Sequence, residues 1–142
     1  MAVTSTAVFP QAVNSGNTTA ASTLATANTN YTAPSNTVTI YTAGANGSDV
    51  DHIGVIVYAT NTAATVDVFI KNGSNYRFVS SVLVPANTVS TTTAKPAYAL
   101  PHIDGTVISP SNPLHLISGD ALIASTSVTQ STFQVAATGK DY

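Results

Sequence analysis

From Ser35 onward the apolar residues alternate with polar ones at a spacing of two, and never recur at the three-and-four spacing of an amphipathic helix. Gly, Asn or Pro interrupts the alternation about every 8–12 residues, the rhythm of short strands joined by tight turns. In NTVTIYTA, Val38 and Ile40 share one face, with Thr37, Thr39 and Tyr41 on the other. The most apolar stretch, VDHIGVIVYAT, reads as a central strand with a bulge near Gly54. In TVDVFIK, Val66, Val68 and Ile70 oppose Asp67, Phe69 and Lys71. NGSN is then a hairpin loop of the Asn-Gly kind. The return strand YRFVSSVLV puts Tyr76, Phe78, Ser80, Val82 and Val84 on one face and Arg77, Val79, Ser81 and Leu83 on the other. That geometry sets Lys71 and Arg77 beside the hairpin tip, with Asp67 facing one of them across the ladder.

Later strands are shorter. Pro96 makes TVSTTTAKPAYAL an edge or interrupted strand. Pro110 and Pro113 separate IDGTVISP from LHLISGD, where at most one helical turn fits, and ALIASTSV and STFQVAATG close the chain. The expected fold class is all-β: an antiparallel β-sandwich, jelly-roll-like, with an extended N-terminal arm. Residues 1–30 form that arm, because a stretch of Ala, Thr, Asn and Ser buries too little apolar surface to offset its ordering entropy. Within it Val8, Phe9 and Pro10 are a compact apolar anchor and the candidate partner-contact residues. Residues 31–142 form the β-domain.

Charge narrows the function. Only 7% of the 142 residues are charged, against about 25% in an average soluble domain, and all six acids are Asp. Such a surface is solvated by hydroxyls and amides or covered by neighbouring subunits. Lys71, Arg77, Lys95 and Lys140 are scattered and the net charge is −2, which argues against nucleic acid or anionic lipid as a partner. No run of eighteen apolar residues exists to span a membrane as a helix, and the first residues lack the basic and apolar regions of a signal peptide. The absence of Cys removes disulfides and thiolate metal sites.

Catalytic and cofactor chemistry find little material. His52, His102 and His115 lie in no metal-ligand spacing. Asp51 and His52, adjacent on a strand, point to opposite faces; His115 between two leucines reads as half-buried; His102 and Asp104 share a face if their segment is extended. No G-x-S-x-G elbow or phosphate loop occurs, and six Asp without Glu are poor stock for a glycosidase pair. The expectation is a non-enzyme without cofactor or metal.

Three stretches carry a resemblance. TANTNYTAPSNTVTIYTAGANGSDVDHIGVIVYAT (26–60), followed by the Val66–Tyr76 hairpin and by Phe133, Val135 and the terminal GKDY (139–142), resembles small virion structural proteins of tailed bacteriophages. Asp49 stands where that pattern usually has a basic residue. The resemblance implies a capsid decoration or cement protein, often a homotrimer, bound to the major capsid protein on the capsid exterior after synthesis in the host bacterial cytoplasm. The other expectation is a tail or head-fibre adsorption module that binds host surface glycan through loops such as NGSN and SPSNP.

Overall fold

A computed structural model describes residues 12–14 and 22–142. Its elements are β1 (Ala12–Asn14), β2 (Ser22–Leu24), β3 (Val38–Thr42), β4 (Ser48–Val57), β5 (Ala64–Asn72), β6 (Asn75–Val84), β7 (Ala97–Ala99), β8 (Leu114–Leu116), β9 (Ala121–Thr126) and β10 (Phe133–Asp141). The described residues contain no helix, and every ladder between strands is antiparallel. The protein is all-β.

Six strands make one sheet around the β4–β10 pair, with β1 and β2 on the free edge of β10 and β7 and β8 on that of β4. The other four strands make a second sheet in the order β3-β9-β5-β6. Alternation places Val50, Ile53, Val55 and Val57 of β4 in one hydrophobic cluster with Phe133, Val135 and Ala137 of β10, and with Val66, Val68 and Ile70 of β5. Full burial of a side chain of this size contributes about 1.5–3 kcal/mol. Pro96 stands just before β7, which lies on the sheet edge where a missing backbone donor is tolerated.

Three bulges depart from strict alternation, and each re-aims side chains. In β3 the register passes from Thr39↔Ile123 to Tyr41↔Leu122, so Ile40 is the extra residue and Tyr41 turns into the core with Leu122. In β4 the extra residue is Asp51, between Val50 and His52, rather than one near Gly54. Asp51 and His52 therefore both face away from the core, where Asp51 meets Lys140, instead of pointing to opposite sides. In β6 the pairing jumps from Phe69↔Phe78 to Val68↔Ser80. Val79 is the extra residue, so Phe78 leaves the face that Ser80, Val82 and Val84 share and joins Phe69 outside.

The outer side of the four-stranded sheet is covered too. Tyr31 packs on Phe69 and Phe78 with ring centroids 6.2 and 6.1 Å away. Its hydroxyl donates to Asp67 Oδ2 at 3.3 Å, and the Asn28 amide donates to the Thr126 carbonyl at 2.8 Å. Leu24, 1% exposed, is part of the core, and Asn28 is buried, so residues expected in the arm belong to the β-domain. A leucine placed beside an open sheet edge is pulled inward whatever the polarity of its neighbours. The anchor residues Val8, Phe9 and Pro10 lie outside the described residues.

Asp67 also departs from the sequence reading. It faces Ser81 on β6 and Ser125 on β9, not a cation, and lies 3% exposed beneath Tyr31. Ser81 donates to it at 2.6 Å and Thr65 at 3.1 Å. Hydroxyl donors, rather than an ion pair, compensate the buried carboxylate.

Candidate functional site

The first and last of the stretches singled out in the sequence meet in space. The loop between β3 and β4 closes with the Gly47 amide donating to the Gly44 carbonyl at 3.0 Å, and the Tyr142 amide then donates to the Gly47 carbonyl at 3.1 Å. On the core side Asp141 Oδ1 accepts from the Ser48 hydroxyl at 2.6 Å and from the Tyr41 hydroxyl at 2.9 Å. Burial first, and the Asp141 carboxylate second, push the Tyr41 phenol well above its ordinary value, so it stays a neutral donor. Gly139 is required by close approach, since a Cβ there would lie 2.3 Å from the Asp49 carbonyl oxygen.

On the outward side Asp49 accepts from the Tyr142 hydroxyl at 2.5 Å through Oδ2, and its Oδ1 contacts His115 Nδ1. The Asp49 carboxylate raises the Tyr142 phenol above its usual range. Lys140 Nζ lies 3.5 Å from Asp51 Oδ2. His115 is not half-buried: its side chain is 77% exposed, because Leu114 and Leu116 take the inward-facing positions. Asp49, His115 and Tyr142 hold a pattern of acid, imidazole and phenol, yet among the described residues no hydroxyl nucleophile is hydrogen-bonded to the ring. The arrangement works as a clasp that fastens β8 and the chain end to β4.

His102 and Asp104 are separated by a tight loop rather than aligned on a strand. The His102 amide donates to Thr106 O at 2.8 Å, its Nε2 lies 2.9 Å from the Asn112 carbonyl, and Asp104 turns to Thr106. Thr106 holds the Asp104 carboxyl below the usual carboxylate range. Among the described residues no group of three His, Asp or Glu side chains could hold a metal ion.

Two concave surfaces stand open. The first, about 380 Å³, lies on the outer face of the six-stranded sheet, with Gly54, Ala97, Ala99 and Ala136 leaving room beside Ile56. Among the described residues that line it, His52 alone offers an ionisable side chain on that face. The second, about 400 Å³, lies between the β5–β6 hairpin tip and the turn after β8, and is lined by polar groups including Asn72, Tyr76, Arg77 and His115. Sequence reasoning missed both, since each is assembled from strands far apart in the chain.

No family model matches this chain, and no curated protein or solved structure matches it.

Proposed function

We propose that this chain is a bacteriophage virion structural protein, a decoration or cement protein that binds the major capsid protein on the outside of the head. The carrying observation is the strand order. With β1 and β2 taken as one interrupted edge strand, and β7 and β8 as another, eight strands are divided as two sets of four, β1/β2-β10-β4-β7/β8 and β3-β9-β5-β6. That order supports reading the fold as a jelly-roll sandwich, an architecture found in viral capsid and lectin domains.

The outer face of the six-stranded sheet supports a role in assembly. Ile56 is 38% exposed beside Gly54 and three alanines, and no Asp, Lys or Arg among the described residues lines the groove. A surface so poor in charge matches a subunit contact better than a permanently solvated face. In this reading the groove meets a second copy, the protein associates as a homotrimer, and the residues before β1, with Val8, Phe9 and Pro10, dock on a neighbour or on the capsid lattice.

A cryo-EM map of particles from cells that express this protein tests the proposal. Density for the β-domain on the capsid exterior at capsomer junctions is the expected result. Density confined to the tail, or particles that lack the protein, would overturn it.

A further inference from the structure

The two Asn-Gly steps of this chain, Asn46–Gly47 and Asn72–Gly73, sit in opposite backbone settings. Such a step is the one most open to deamidation. The following backbone nitrogen can close a five-membered ring on the side-chain amide carbon, and glycine sets no Cβ in its way. At Asn46 that nitrogen is occupied. The buried Gly47 donates its amide to the Gly44 carbonyl at 3.0 Å and accepts from the Tyr142 amide at 3.1 Å.

At Asn72 the nitrogen is free. Asn72 and Asn75 pair across the hairpin tip, with Gly73 and Ser74 as the two-residue loop. Gly73 takes the first loop position at φ 58°, as a type II′ turn demands, so the loop is not the Asn-Gly kind. Gly73 is exposed, its amide donates to no acceptor among the described residues, and nothing lies within 4 Å of where a Cβ would stand. The Asn72 side chain, by contrast, is a latch. Its Nδ2 donates to Asp120 Oδ1 at 2.8 Å, and Asp120 Oδ2 accepts from the Ile117 amide at 3.0 Å. Asp120 is 6% exposed and, as a carboxylate, can only accept, so it needs an amide opposite it. Arg77 and His115 line the same groove, yet neither forms an ion pair with Asp120 among the described residues.

We infer that Asn72–Gly73 is a modification site, where spontaneous deamidation replaces the latch by two facing carboxylates and releases the hairpin tip. The Gly73 nitrogen gives its proton to hydroxide and bonds to Asn72 Cγ. The Cγ–Nδ2 bond breaks, and that nitrogen leaves as ammonia with a proton from water. Water then opens the cyclic imide at either carbonyl, leaving aspartate or isoaspartate at position 72. One water is consumed and one ammonia released, with no oxidant or reductant. Aspartate there sets acceptor against acceptor across the 2.8 Å contact, and like charges repel strongly where water is largely excluded. Isoaspartate also lengthens the backbone at the Asn72–Asn75 pair. The inference does not depend on a capsid location, because both steps are measured on the free protein.

For the chemistry, the full chain is held in mildly alkaline buffer, and peptides spanning the two steps are followed by mass spectrometry. Conversion to aspartate and isoaspartate is expected at position 72 at least about tenfold faster than at position 46, where the Gly47 nitrogen must first leave its hydrogen bond. Conversion first at position 46, at equal rates, or at neither position would overturn the site. For the latch, Asn72→Asp is expected to lower the Tm by about 5 °C. Adding Asp120→Asn exchanges donor and acceptor and is expected to recover most of that loss. A wild-type Tm for Asn72→Asp, or a double variant no more stable than the single one, would overturn the latch. Should Asn72→Asp fail to fold, a folded double variant supports the latch and an unfolded one overturns it.

Discussion

The Tyr41 hydroxyl donates to Asp141 Oδ1 across 2.9 Å and a separation of 100 residues. This bond ties β3 of one sheet to the end of β10 in the other. It exists because the extra residue at Ile40 turns Tyr41 inward. Tyr41→Phe leaves Asp141 with Ser48 and is expected to cost about 1–2 kcal/mol, read from urea unfolding. An unchanged midpoint would mean that the bond is not formed in solution.

The same phenol gives the stability a pH dependence. The folded state holds the Tyr41 proton more tightly than the unfolded chain does, whose tyrosine titrates at 10.0. Its contribution is therefore complete below about pH 10 and is lost as pH rises beyond it. Melting scans from pH 8 to about 11 are expected to show a fall that is smaller in Tyr41→Phe. Equal falls in both proteins would assign the loss to other groups.

Gly139→Ala tests the close approach of the strands. The new Cβ would meet the Asp49 carbonyl at 2.3 Å and Val50 Cα at 3.0 Å, both backbone atoms that cannot swing aside. A loss of about 3 kcal/mol is expected from thermal or urea unfolding. A wild-type midpoint would show that the strands separate at little cost.

Across the outer face of the four-stranded sheet, Asp67 and Ser125 make opposite predictions. Asp67→Ala strands the Ser81, Thr65 and Tyr31 hydroxyls and is expected to cost about 2–4 kcal/mol. Ser125 is fully buried and its hydroxyl has no partner among the described residues, so Ser125→Ala is expected to be neutral or stabilising by up to about 1 kcal/mol. A large loss from Ser125→Ala would reveal a hydrogen bond to an ordered water.

Self-association rests on Ile56. Ile56→Asp puts a charge in the small-residue groove and is expected to shift the protein to monomer in sedimentation at micromolar concentration, with its melting changed little. Deletion of residues 2–11 is expected to leave melting unchanged and to weaken attachment to particles. A deletion that extends through Leu24 would itself lower the melting temperature, since truncation of a buried leucine costs about 2–5 kcal/mol. A clean monomer in the wild type would remove the basis for the trimer.

Much of the fold was legible because period-two alternation is a local property. Val66, Val68 and Ile70 read as one face, and they share the core. The turn at NGSN and the edge position after Pro96 follow from backbone chemistry within a few residues. The function classes disfavoured by charge and cysteine count needed no coordinates either.

The rest was decided by register. Three inserted residues, Ile40, Asp51 and Val79, flip the faces of Tyr41, His52 and Phe78, and a bulge has no signature in alternation because its cost depends on the partner strand. The composition says that the six acids are all Asp. Only the tertiary structure gives the reason: Asp49, Asp67, Asp104, Asp120 and Asp141 each accept from nearby hydroxyl or amide donors, where a short carboxylate fits. Leu24 likewise looked like part of a polar arm until pairing with β10 set it against the core. Local pattern determines which residues can make strands, but which strand lies beside which, and so which side chains converge, is set by contacts between residues distant in sequence.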